Sequence, residues 1–278
     1  MRVFWIAAAF AVSACATPQA SPTLKVYGDR LFIDAAINGV AVEALLDSAA
    51  EISFADKAWA EEIGLVTSGS ETAKGTGGAA EVTFAENVTL ETLGRKLDGL
   101  TVAVLDLSDI SNRLVGREVN FVTGRELFDS ERLAIDIESG TIAVVELATA
   151  PDGVELPLTA SHGIETFKAS VNGVDADAEF DLGNGSEVLI GKAFADELGL
   201  LNELSAPERR KGGGVGGEVE RIIVNLGTLE IAGETFYDVE AAVDETENAG
   251  ALNVGVKVLR KFTITTDFSG RKIWLERR

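Results

Sequence analysis

Leu45-Leu46-Asp47-Ser48-Ala49-Ala50-Glu51 and Glu179-Phe180-Asp181-Leu182-Gly183-Asn184-Gly185 are two versions of one phrase. In each, an apolar run enters an aspartate and then a group of small residues. The aspartates stand 134 positions apart (181 − 47), about half of the 278-residue chain. Ile37-Asn38-Gly39-Val40 precedes the first and Val171-Asn172-Gly173-Val174 the second, at the same offset. Downstream, Lys57-Ala58-Trp59-Ala60-Glu61-Glu62-Ile63-Gly64-Leu65 matches Lys192-Ala193-Phe194-Ala195-Asp196-Glu197-Leu198-Gly199-Leu200 one residue out of step. A single residue was therefore gained or lost just after the aspartate. Duplication on this scale reads as two similar lobes, each presenting one carboxylate on a tight turn.

The residues around each aspartate predict local structure. Asn-Gly between apolar runs is a hairpin signal, because both residues accept the positive φ of a type I′ turn. Helix is expected from about Ala55 to Ile63, capped by Ser53 and stopped by Gly64, with Trp59 and Ile63 on one face. Its counterpart carries Phe194 and Leu198 in the same places. Glycine-rich stretches follow in both lobes: Gly75, Gly77 and Gly78 in the first, and Gly212 to Gly217 in the second, including Gly214, Gly216 and Gly217. Strands are expected near Glu81–Leu90, Leu100–Leu105 and Val219–Leu226. Phe121–Gly124 corresponds to Leu252–Gly255, and each lobe closes on a hairpin around Ser-Gly, at 139–140 and 269–270. Many short strands, one short helix per lobe and glycine-marked turns predict a mainly β protein. The expected division is an export signal and linker over 1–22, a first lobe over 23–148, a linker over 149–160 and a second lobe over 161–278.

Composition excludes several chemistries. The formal charge is −21, which argues against nucleic acid and anionic lipid head groups as partners. The only cysteine is Cys15 and the only histidine is His162. No disulfide framework, Cys/His metal cluster or cysteine nucleophile is expected in the mature chain, so neither metal nor cofactor is anticipated. No Gly-x-Ser-x-Gly elbow occurs. Gly212-x-Gly214-x-x-Gly217 matches the dinucleotide fingerprint formally, but charged residues precede it and a strand-like run follows, the reverse of what that site needs. His162 reads as a linker or surface residue, and Asp136 and Asp267 as structural or solvated residues of the closing hairpins. The remaining chemistry belongs to the paired carboxylates.

Near the N-terminus, Arg2 and the apolar run Val3–Val12 are too short to span a bilayer and read as an export signal. Val12-Ser13-Ala14-Cys15 resembles a bacterial lipobox, which would lipidate Cys15. Ordinary cleavage after Ala14-Cys15-Ala16 also fits, but a lone cysteine followed by a loose linker favours lipidation. By resemblance to lipoproteins, Ala16 after the cysteine implies periplasmic, outer-membrane anchoring.

Two carboxyls a few ångströms apart cannot both ionise easily, so such a pair shares a proton and can activate a water. Leu46-Asp47-Ser48-Ala49-Ala50 and Phe180-Asp181-Leu182-Gly183-Asn184 resemble the signature of the retropepsin-like aspartic proteases, in a tandem form that makes one chain do the work of a homodimer. The resemblance covers nearly the whole mature chain. It implies two acid-protease β-barrel lobes, Asp47 and Asp181 as the catalytic dyad, glycine-rich flaps over an extended peptide, and a monomer. The family's hydroxyl after the aspartate bonds across to the partner loop; Ser48 supplies it once and Leu182 does not. In the first motif Ala49 stands where the family has glycine, while Gly183 keeps it in the second. Two further classes therefore stay open: a catalytically silent peptide-binding lipoprotein, and a structural envelope protein whose duplicated lobes only mediate contacts.

Overall fold

The computed structural model describes residues 23–146, 148, 150–161, 163–202, 206–247 and 249–278. The export segment with Cys15, and His162, lie outside the described residues. The chain is mainly β, as the sequence predicts. One eight-stranded sheet runs in the order 25–27, 30–37, 40–46, 121–123, 54–56, 95–105, 78–92, 67–75. A second follows the same order with 159–161, 164–171, 174–180, 252–254, 188–191, 234–244, 217–231, 209–214. The halves are thus duplicates strand by strand.

The Asn-Gly turns set the register on both sides. Asn38 and Gly39 have φ of 49° and 83°, and Asn172 and Gly173 have 52° and 80°. Each asparagine also accepts a backbone bond from the long neighbouring strand, Asn38 from Thr89 N and Asn172 from Thr228 N. The side chain thereby docks the hairpin onto the rest of its sheet.

Helices are short and more numerous than expected. Lys57–Glu62 and Lys192–Glu197 are the anticipated pair. Each half adds a second, Arg125–Ser130 and Val256–Leu259, beginning directly after Gly124 and Gly255. A wide helical turn, Ile110–Val115, occurs in the first half. Val256–Leu259 is too short to display a helical period in sequence, and Arg125–Ser130, no longer than the anticipated pair, lacks the glycine stop that marks them. The cap also differs from expectation. Asp56, not Ser53, accepts from Ala58 N and Trp59 N, because Ser53 Oγ is taken by Glu126 and by the amide of Gly124.

The two closing hairpins do not remain with their own halves. They combine into a third sheet, in the order 141–144, 133–136, 262–267, 272–277, 154–157. Val154–Pro157 belongs to the stretch expected as a linker, yet it pairs along the edge of the strand Lys272–Arg277. Beneath this sheet the core is continuous across the halves. Phe128 stacks on Phe268 at 5.2 Å, and Phe268 meets Phe180 edge-on at 6.1 Å. Arg132 and Asp267 pair at 2.9 Å with both side chains buried, so Asp267 is structural. Asp136 is half-buried and bonds Ser139 N and Arg278. Among the described residues no helix is long and apolar enough to cross a membrane.

Candidate active site at the junction of the two halves

Each aspartate emerges from the end of an inner strand. Val40–Leu46 and Phe121–Thr123 run parallel with Leu45 opposite Val122, and Asp47 N donates to Thr123 O at 3.0 Å. In the second half Glu179 lies opposite Asn253, and Asp181 N donates to Val254 O at 3.1 Å. The strand that delivers the aspartate is therefore pinned by the segment threaded beside it.

The glycines after that segment are required by proximity. A Cβ on Gly124 would lie 2.7 Å from the Ile52 carbonyl carbon, and one on Gly255 would lie 2.1 Å from Asn184 O. The amides just beyond them, Arg125 N and Val256 N, donate to Ala50 O and Asn184 O at 2.9 and 2.8 Å. Both turns after the aspartates are thus held from behind.

Within the turns the carboxyls are matched. Asp47 Oδ1 accepts from Ala49 N and Ala50 N at 2.9 and 3.1 Å. Asp181 Oδ1 accepts from Gly183 N and Asn184 N at 2.8 and 2.9 Å. The two turns touch: a Cβ on Gly183 would lie 2.3 Å from the Asp47 carboxyl carbon, a space only glycine leaves open. Ser48 ties them further, donating to Phe180 O at 2.8 Å and accepting from Leu182 N at 2.9 Å. One hydroxyl thus satisfies both an acceptor and a donor of the opposite loop. Leu182 returns no such bond and is fully buried in the core. Ala49, at the position of Gly183 in the other turn, donates to Asp47 through its amide.

Burial raises the pKa of both carboxyls, and for Asp47 the nearby charge of Asp181 adds to it. The pair is not symmetric. Asn253 Nδ2 donates to Asp181 Oδ2 at 2.8 Å and to Glu179 Oε2 at 3.0 Å. Asn253 Oδ1 accepts from Asn184 Nδ2 at 2.8 Å, which orients the amide so that its hydrogens face the carboxyls. Asp47 has no equivalent donor, since Val122 stands where Asn253 does. Arg30, buried at the start of its strand, crosses from the first half to donate to Gly183 O at 2.6 Å and attracts both carboxylates.

The two glycine-tipped hairpins meet over each other. Gly77 N donates to Val215 O at 3.0 Å, and Arg221 Nη2 donates to Thr76 O at 2.8 Å. A Cβ on Gly77 would lie 2.2 Å from Gly217 O, one on Gly75 2.7 Å from Val215 O, and one on Gly214 2.4 Å from Thr76 Oγ1. Gly78, Gly216 and Gly217 have φ of 121°, 98° and 121°, which favours glycine. Among the described residues no group of three or more His, Cys, Asp or Glu side chains is arranged to hold a metal ion.

The family model described as "Aspartyl protease" matches the chain twice, over residues 33–119 and 167–258, each match enclosing one aspartate turn. The chain belongs to the aspartyl protease family. Among solved structures it is similar to a retropepsin-like aspartic protease from Rickettsia conorii, at 21% identity over 44% of this chain and 88% of that chain, with a TM-score of 0.36. No curated protein matches it.

In this aspartyl protease chain, the turns holding Asp47 and Asp181 were readable from the repeat. Asn253, Glu179 and Arg30 were not singled out. The signal for the first two was a difference in polarity between paired positions, with Leu45 against Glu179 and Val122 against Asn253.

Proposed function

We propose that the chain is an aspartic endopeptidase whose two halves each supply one carboxyl of a water-activating dyad, Asp47 and Asp181. The observation that carries this reading is the pair of equivalent aspartate turns in contact, each Oδ1 held by two backbone amides and the turns joined through Ser48. With its extra donor from Asn253, Asp181 is the member better suited to carry the negative charge. It takes a proton from a water as the water oxygen attacks the peptide carbonyl carbon. Asp47, protonated, donates to the carbonyl oxygen, giving a neutral diol intermediate. Collapse breaks the C–N bond as the proton on Asp181 passes to the leaving amine and Asp47 recovers its own.

The glycine-tipped hairpins act as flaps that close over an extended peptide. The chain works as a monomer, with no nucleic-acid partner. It is exported to the periplasm and held at the outer membrane through a lipidated Cys15.

The test is cleavage of a mixed peptide library by the soluble chain from acid to neutral pH, beside Asp47→Asn and Asp181→Asn. Either substitution removes a proton-transfer group, so cleavage should fall by at least about 100-fold in each. Activity should also fall toward neutral pH as the pair loses its shared proton. One observation favours a second reading, a peptide-binding protein without hydrolysis: Leu182 leaves the aspartate loops joined through a single hydroxyl. Peptides retained but uncut at every pH would decide for it.

A further inference from the structure

The two halves duplicate each other's backbone but not the lining of the cleft. Strand register makes Leu45 the counterpart of Glu179, Val122 of Asn253, Val82 of Arg221 and Leu105 of Asp244. In the first half the four residues form one apolar cluster, onto which Val215 from the tip of the second hairpin packs. In the second half the four polar replacements are all more than nine-tenths buried. The residue matching Val215 at the tip of the first hairpin is Thr76, and it faces the polar set. Both the wall and its cover have changed character together.

A cavity of about 420 Å³ lies between this polar wall and the first hairpin, bordered by Glu179, Asp244, Asn253 and Thr76. Its mouth carries Lys74 and Glu247, 3.9 Å apart and both exposed. Of the polar replacements, Arg221 is already committed: it stands 3.6 Å from Asp244 and donates to Thr76 O. Among the described residues Glu179 has no cation of its own. Its Oε2 accepts from Asn253, and no donor among the described residues reaches Oε1. Gly250 leaves room beside that oxygen, since a Cβ there would lie 2.7 Å from it. A buried carboxylate oxygen that borders a cavity and lacks a donor is an acceptor waiting for one.

We propose that this cavity is a specificity subsite that receives a lysine or arginine side chain of the peptide, with Glu179 as its anionic anchor. The inference rests on the protease reading of the cleft. It adds that the halves differ in what they can read: a basic side chain enters beside Asp181, where the equivalent place in the first half is filled by Leu45, Val82, Leu105, Val122 and Val215. Asn253, bonded to both Glu179 and Asp181, places the anchored side chain close to the reacting bond.

The test uses the Asp47→Asn chain, so that binding is measured without turnover. Labelled decapeptides in which one lysine is moved position by position are compared by fluorescence anisotropy, at mildly alkaline pH, with the same peptides carrying methionine. A charge-assisted bond to Glu179 should make lysine bind about ten- to a hundredfold tighter at one position only. That preference should vanish when Glu179→Gln is added, and also with Glu179→Leu, which installs the residue found in the first half. A preference at no position, at every position alike, or undiminished by Glu179→Gln would overturn the subsite. Cleavage of the same peptides by the unsubstituted chain, followed from acid to neutral pH, separates the two claims. Lysine-selective binding without cleavage at any pH sinks the protease and keeps the pocket, and cleavage without lysine-selective binding does the reverse.

Discussion

Asn253 is the residue by which the two carboxyls become unequal. Its amide is oriented by Asn184 and, of the two aspartates, donates only to Asp181, leaving Asp47 with backbone donors only among the described residues. Replacing it with the first half's residue, Asn253→Val, removes a donor to the charged form of Asp181. The pKa of Asp181 then rises, and the acid limb of the kcat/KM profile should move to higher pH. At acid pH we expect a loss of about tenfold, corresponding to about one such hydrogen bond. An unmoved profile would remove Asn253 from the positioning machinery. The aspartates were legible because each lies inside a repeated phrase that needs no partner to be recognised. Asn253 was hidden because its role depends on a parallel register with a strand more than seventy positions earlier. Ser53 misled for a similar reason: its hydroxyl goes to Glu126, 73 positions away, and not to the helix beside it.

At the scale of elements, the hairpin tips carry the clearest demand of backbone on sequence. Gly77 has an ordinary φ, so alanine there introduces no backbone strain of its own. The added methyl would nevertheless meet Gly217 O of the opposite tip. Gly77→Ala should therefore hold the tips apart, with the melting temperature of the whole chain nearly unchanged. Amide exchange at 75–78 and 214–217 should quicken, and kcat/KM for a long peptide should fall by about tenfold, because closure positions the substrate. Exchange as slow as in the unsubstituted chain would show that the tips do not depend on this contact. The glycine clusters themselves were plain in the sequence. That one tip covers a polar wall and the other an apolar one was not, since each crosses to the opposite half.

For the whole molecule, the buried acids set the response to pH. Asp47, Asp181 and Glu179 all have pKa values raised by burial, Glu179 to about 7. Between the ordinary carboxylate range and pH 7 the folded chain thus binds more protons than the unfolded one. Stability from these groups is complete below about pH 4 and is lost as pH rises through 7. Asp267, held low despite its burial by its bond to Arg132, works in the opposite sense, and its contribution is lost only on strong acidification. Melting temperature should therefore decline from about pH 5 to 8, and the decline should be shallower in Asp47→Asn and in Glu179→Gln. Parallel curves for all three proteins would refute the assignment. The duplicated sheets were legible from the repeat, but the third sheet was not. Its hairpins are adjacent in sequence only to themselves, and nothing local announces that Leu133–Asp136 will pair with Phe262–Asp267.

The separation of Asp47 from Asp181 also has a meaning in time. At about 5–20 residues per second, a ribosome that has finished the first aspartate turn needs roughly 7–27 s more to reach the second. By the end of that interval the nascent chain holds one carboxyl, one hairpin tip and three of the five strands of the shared sheet, whose other two, 262–267 and 272–277, are still to come. A chain that has not yet reached Asp181 therefore cannot assemble the carboxyl pair from its own residues, and over that stretch the emerging polypeptide is protected from its own chemistry by the order of its synthesis.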